Sequence, residues 1–292
     1  MSEFSDEKLL MLNQKGLIPG PREGSEAFIK RVDYSLDLIN HLPEEIKVHL
    51  SGGTLTKPKI LLEGANALKK KYDSFPDWTL LFFSNYKLPY WHGGCAWIFQ
   101  MMEDNPTSAL IQLREAFSRS SKYLGIYDRK ELLAHELCHV GRMMFQEPKF
   151  EEILAYRTAN SSYRRWLGPL FQSSIESSLF LLFLFMLIVF DSFLLASNRS
   201  DAYFFALWLK VIPVGILIAL LGRLWIRQKT YASCIENLKK CVVPGKEEAT
   251  AFRLQDHEII LFSKSLPEQI KDYASLKSKD ELRWQVIKKA YF

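Results

Sequence analysis

Residues 135–139 read His135-Glu136-Leu137-Cys138-His139. In an α-helix positions i and i+4 stack on one face, so the two imidazoles can converge on a single Zn²⁺. Glu136, one residue along, would face a metal-bound water as general base. The surrounding sequence supplies the helix. Asp128 and Glu131 read as an N-cap and its capping partner, and Leu132, Leu133, Leu137, Val140 and Met144 follow at helical spacing. The motif points to zinc-dependent hydrolysis.

A zinc site of this kind needs a third protein ligand, and the candidates lie just downstream, in the stretch from Lys149 to Ala159. A turn around Gln146-Glu147-Pro148 ends the first helix, and Pro148 suits the start of a second. On that second helix Glu152, Ala155, Tyr156, Ala159 and Tyr163 share a face, while Glu151 lies about 100° round the wheel. Glu152 is therefore the preferred ligand and Glu151 the alternative. Ala155 and Ala159 are small enough to let the two helices approach closely. Tyr156, one turn beyond Glu152, has the best geometric case for polarising a carbonyl, with Tyr163, Arg142 and His92 of Trp91-His92-Gly93-Gly94 as further candidates. His41, His49 and His257 have no ligand-like spacing.

This stretch resembles the zincin metallopeptidases, in the gluzincin arrangement where a Glu on a following helix completes the His-Glu-x-x-His site. The resemblance covers residues 128–163, and Glu152-Ile153-Leu154-Ala155 looks like the Glu-x-x-Ala stretch of some membrane-associated and regulatory members. It implies His135, His139 and Glu152 as metal ligands, Glu136 as catalytic base and one zinc per chain. Tyr156 stands where those families commonly carry Asp or Asn after the alanine, so the acceptor that orients a ligand histidine is not identified from the motif. The short spacer between His139 and Glu152 demands a tight turn.

Leu179 to Ala196 is almost uninterrupted apolar sequence, and Ala202 to Gly222 is a second such stretch. A helix of 18 residues reaches about 27 Å, close to the hydrocarbon thickness of a bilayer. Joined by Ser197-Asn198-Arg199-Ser200-Asp201, the two form an expected transmembrane hairpin spanning 171–225, with Tyr203, Trp208 and Trp225 suited to interfacial positions. Asp191 and Lys210 fall inside the spans, where isolated charges are expensive. They either pair across the hairpin or reach for the headgroups. Arg164 and Arg165 precede the first span and Arg223, Arg227 and Lys229 follow the second, against Arg199 alone in the turn, so both termini are expected on the cytoplasmic side. No signal-peptide pattern is visible at the start of the sequence. A helix running unbroken from Glu152 toward Pro169 would set the metal about 25 Å from that break, so cleavage is expected in cytosolic or juxtamembrane peptide.

The net charge of +5 on 292 residues comes from 38 basic and 33 acidic groups without a Lys/Arg run, which gives no sign of nucleic-acid binding. Cys95, Cys138, Cys234 and Cys241 lack paired spacing and are expected to remain thiols. The N-terminal stretches Phe4–Leu12 and Ser25–Leu42 read as helical around a turn at Gly16–Pro21, Leu50–Thr56 as a loop and Lys59–Asp73 as a helix. Thr79–Ser84 and Cys95–Met101 are strand-like, the latter preferred as an edge that aligns an extended substrate. Asp256, Ser265-Leu266-Pro267 and Ser278–Glu281 mark later helix starts.

The expected architecture is α+β: a mostly helical zincin-like catalytic domain with a small sheet (1–168), a transmembrane hairpin, and a helical C-terminal appendage (226–292). The expected partners are a peptide or protein substrate and the lipid bilayer. The competing class is a membrane-tethered binding or scaffold protein whose motif is a structural metal site or a relic, and Glu136 separates the two because only hydrolysis needs it.

Overall fold

The computed structural model describes residues 4–42, 44, 47, 58–100, 106–197 and 200–292. The expected loop at Leu50–Thr56, with His49, Met101 and the middle of the hairpin turn, lies outside them. Helices α1 (Asp6–Gln14), α2 (Ser25–Leu36), α3 (Leu38–His41) and α4 (Pro58–Tyr72) precede the sheet. The sheet has strands β1 (Leu80–Phe83), β2 (Gly94–Phe99) and β3 (Ser108–Leu113) in the order β1-β3-β2, with β3 parallel to β1 and antiparallel to β2. Strand β2 is thus an edge, as expected. The central strand β3 had no counterpart in the sequence reading. All six of its residues are buried, so it shows no polar alternation, and a short apolar run of that kind does not separate strand from helix.

Side chains alternate across this sheet and divide the core in two. Leu81, Phe83, Ala109, Ile111 and Leu113 face the main core, whereas Phe82 and Leu110 pack with Tyr34, Leu38 and Leu42 on the opposite side. A two-stranded hairpin, β4 (Lys122–Tyr123) and β5 (Tyr127–Asp128), then feeds α5 (Arg129–Gly141), which carries the His-Glu-x-x-His stretch. The Asp128 side chain accepts from the Glu131 N–H and caps this helix. Helix α5 lies under the sheet and against α4 at close range. A Cβ on Gly64 would sit 2.7 Å from Leu133 Cγ and 2.9 Å from the Ala134 backbone nitrogen, so only glycine lets α4 approach the helix that carries His135.

Helix α6 (Pro148–Tyr156) follows with Pro148 in its first turn, and then α7 (Ser162–Leu167). The chain therefore breaks after Tyr156. A helix continuous from Glu152 toward Pro169 does not form, and Tyr163 sits on a separate, exposed element. Helices α8 (Ser174–Ala196), α9 (Ser200–Leu209) and α10 (Val211–Leu238) make the hairpin. Ile175–Ala196 and Ala202–Leu238 are long and apolar enough to cross a membrane, and only 6% and 12% of their most apolar windows is buried, which is not the packing of a soluble core pair. Lys210 Nζ lies 2.7 Å from Asp191 Oδ2, so the two charges pair across the hairpin.

The last helices are α11 (Glu247–Ala251), α12 (Asp256–Phe262), α13 (Pro267–Lys277) and α14 (Leu282–Tyr291). They share the main core with the sheet and α5: Leu12, Leu137, Phe150, Tyr231, Phe252, Trp284 and Tyr291 belong to one cluster. Residues 226–292 do not stand apart as an appendage. Arg253, fully buried, donates to the Asn13 side chain and to the Tyr72, Asp73 and Ala249 carbonyls, tying both ends of the chain to α4. Glu258 and Arg283, each 1% exposed, form two 2.8 Å bonds, and Trp284 Nε1 adds a third at 2.7 Å. Removing one partner of such a pair strands a buried charge. Glu258→Ala is accordingly expected to cost about 3–5 kcal/mol, against an almost unchanged unfolding midpoint for Lys277→Ala, whose partner Glu281 lies near the surface. Thermal denaturation of the two variants in detergent checks the contrast.

Candidate metal centre

His135 and His139 emerge from one face of α5, and α6 crosses beneath it after the short turn at Met143–Glu147. His135 Nε2 and His139 Nε2 are 3.2 Å apart, and the two Glu152 carboxylate oxygens lie 3.6 Å from the first and 3.7 Å from the second. Bonds of about 2.0–2.1 Å at tetrahedral angles would place ligand atoms roughly 3.3 Å apart, so the three groups are arranged as a divalent ion requires. His135, His139 and Glu152 could hold a metal ion, and they are the one such group among the described residues.

Glu151, the alternative ligand, turns to the back of the site. Its Oε1 lies 3.0 Å from His139 Nδ1 and its Oε2 accepts from Arg142 Nε at 2.6 Å. Its carboxylate is placed to accept from His139 Nδ1, the position of the acceptor left unassigned by the motif because Tyr156 replaces the usual acid. Arg142, candidate for carbonyl polarisation on sequence grounds, is buried behind this glutamate and bonds the Phe252 and Leu254 carbonyls, away from the cleft.

Burial and crowding set the electrostatics. Two imidazoles at this distance cannot both carry a proton. Burial and the neighbouring His139 hold His135 well below the ordinary histidine value. His139 is opposed by burial, yet its bond to Glu151 and the nearby Glu152 and Glu136 carboxylates raise it to about 9. Burial pushes Glu136 up to about 7, and its Oε2 accepts the Ala96 N–H of edge strand β2 at 2.8 Å. Glu152 is raised mainly by burial, whereas Arg142 and His139 overcome burial at Glu151 and lower it.

Tyr156 packs edge-on against His135, ring centroids 4.6 Å apart, and burial lifts its hydroxyl to about 12, so it stays a neutral donor. A Cβ on Gly168 would lie 2.2 Å from the Tyr156 ring, which makes this glycine the seat of the tyrosine. His135, Glu136, His139, Glu152 and Tyr156 open into one cavity of about 930 Å³. His92 lines it too and is held below the usual value by burial and by Arg114. Cys95 also lines it, as a thiol that burial raises to about 12. Tyr163 does not reach it. Arg164, read from sequence only as a flanking charge, lines the cavity paired with Glu131 at 3.1 Å.

The far wall comes from the first membrane-length helix: Ser177, Ser178, Leu181, Leu182 and Phe185 of α8 border the same cavity. The expected separation of about 25 Å between metal and Pro169 is therefore overturned, because the break after Tyr156 folds the chain back onto the site. No family model matches the chain, and no curated protein or solved structure matches it either.

Two outcomes follow from this geometry. Glu152→Ala should abolish stoichiometric metal binding, whereas Glu151→Gln should keep the stoichiometry and weaken affinity about 10–100-fold, as elemental analysis and competition with a chelator can measure. A ligand histidine must be neutral, so metal uptake at pH 7 should release about one proton from His139, and affinity should rise with pH toward about 9. Calorimetry in buffers of different ionisation enthalpy reads that release directly.

Proposed function

We propose that this chain is a membrane-anchored zinc metalloendopeptidase, with both termini cytoplasmic, that hydrolyses cytosolic or juxtamembrane polypeptides. The observation that carries the reading is the combination of His135, His139 and Glu152 converging at ion-ligand distances with Glu136 and an open cavity beside them. A closed structural site would instead use a fourth protein ligand, and among the described residues none joins the three. When bound, zinc supplies Lewis acidity and lowers the pKa of water in its open position toward neutrality.

The remaining work falls to the chain's own side chains. Glu136, raised toward neutrality by burial, is suited to take the proton of the attacking water and return it to the leaving amine. The Ala96 N–H holds its carboxylate in place. Tyr156 remains protonated and can donate to the oxyanion that develops on the scissile carbonyl. Edge strand β2 supports substrate alignment. Gly93 O accepts from Arg114 N–H on the β3 side, so the even-numbered residues turn their backbone groups to the cleft. With the Ala96 N–H engaged by Glu136, the Ala96 carbonyl and the Ile98 backbone can pair with an extended peptide.

Membrane anchoring is supported by the exposed apolar surfaces of α8 and α10. The orientation rests on Arg164, Arg165, Arg223, Arg227 and Lys229 flanking the spans. Detergent-purified protein is expected to contain about one zinc per chain, lost in His135→Ala and retained in Glu136→Gln. Hydrolysis of reduced, unfolded casein should fall by at least ~100-fold in Glu136→Gln. Absence of zinc from metal-replete wild type would sink the reading and leave a membrane-tethered interaction protein.

A further inference from the structure

The cavity that holds the metal ligands is continuous with the membrane-length helix. Ser177, Ser178, Leu181, Leu182 and Phe185 recur at helical spacing, forming one stripe of α8 turned to the site. The stripe changes character along its length. Its first turn is hydroxylated, and the next two are leucine and phenylalanine that are more than half exposed. Phe185 lies about 9 Å beyond Leu179, where the apolar run begins, at 1.5 Å per residue. Opposite stands Ile98 of the edge strand, also exposed and also in the cavity wall.

A wholly water-soluble peptide held by β2 has no use for a wall that continues along a bilayer-length helix. An unsatisfied backbone would be costly there, so only a helical, apolar chain can follow Leu181, Leu182 and Phe185. We infer that the substrate is itself anchored in the bilayer. Its extended flank lies along β2 beside Glu136, and its apolar membrane span runs down the Leu181–Phe185 stripe, so the scissile bond falls at the membrane surface beside the serines. This rests on the metallopeptidase reading and narrows it to one substrate class.

Site-specific photo-crosslinking in the full-length protein tests it. A benzoylphenylalanine is introduced at Ile98, at Phe185 or at Met186, in the Glu136→Gln background, with zinc, in phosphatidylethanolamine–phosphatidylglycerol vesicles. Met186 is exposed on the same helix but outside the cavity. The probe is an unstructured polypeptide flank joined to a leucine-rich span of about 20 residues. Position 185 should label the probe's span several-fold more than position 186, and position 98 should label its flank. Mere co-residence in a bilayer raises encounters at both helix positions alike, so equal labelling at 185 and 186, or labelling of lipid alone at 185, would overturn the inference. Zinc content and casein hydrolysis by the unsubstituted protein in the same vesicles separate the two failures. Hydrolysis without selective labelling removes the anchored substrate and leaves the peptidase. Loss of both zinc and hydrolysis removes the peptidase and the substrate class with it.

Discussion

The buried pair of Arg142 and Glu151 is the interaction on which the site depends. A guanidinium removed from water costs several kcal/mol unless its charge and donors are met. Here Glu151 meets the charge at 2.6 Å, and the Phe252 and Leu254 carbonyls accept from the same group. Those carbonyls come from the turn between α11 and α12, some 110 residues downstream. Glu151 passes the constraint on to His139 Nδ1, which leaves Nε2 to face His135 and Glu152. The convergence of His135, His139 and Glu152 thus presupposes that the far end of the chain is folded.

The same C-terminal segment fixes the helix of Glu152. Asp256, first residue of α12, accepts from the Lys149 and Phe150 N–H groups and so caps α6 across the fold. Arg227, buried midway along α10, donates to the Lys149 carbonyl and to the Pro169 carbonyl at the entrance to α8. Arg223 pairs with Glu176 on α8 at 2.7 Å. The two long apolar helices therefore enter the globular part through charged clamps, of which Arg227 reaches the helix of Glu152 directly. Helix α10 continues without a break into the main core through Tyr231, Cys234 and Leu238.

Local signals were legible and long-range ones were not. The Asp128 cap, the i, i+4 histidines and Pro148 are encoded within a few residues of each other, and the helices they announce form at those positions. The wheel that favoured Glu152 over Glu151 used only the phase of α6, and the cluster forms with Glu152. What Glu151 does instead depends on Arg142 and on carbonyls a hundred residues away, which no window of sequence contains. The central strand β3 was invisible for a different reason: buried on both faces, it lacks the alternation that marks strands. The break after Tyr156 carries no proline or glycine before Gly168, so sequence projects the helix too far and sets the first apolar helix too distant from the His135–His139–Glu152 cluster. The serines and leucines of α8 carried no site signal, because in sequence they are only the start of an apolar run.

The charge balance around the cleft ties ion binding to the ionisation of Glu136. Glu151 pairs with Arg142, and the Glu151, Glu152 and Glu136 carboxylates together raise the proton affinity of His139. A divalent ion at the three ligands would compete with the His139 proton. Glu136 is not among the ligands, yet it lies in the same buried field, where burial and Glu152 now hold it up to about 7. A nearby positive charge favours its ionised form. An ion held by His135, His139 and Glu152 would therefore shift Glu136 toward its carboxylate form while lowering its affinity for a proton. Ion occupancy and the ionisation of Glu136 are coupled because these carboxylates and imidazoles are crowded into one largely buried cluster.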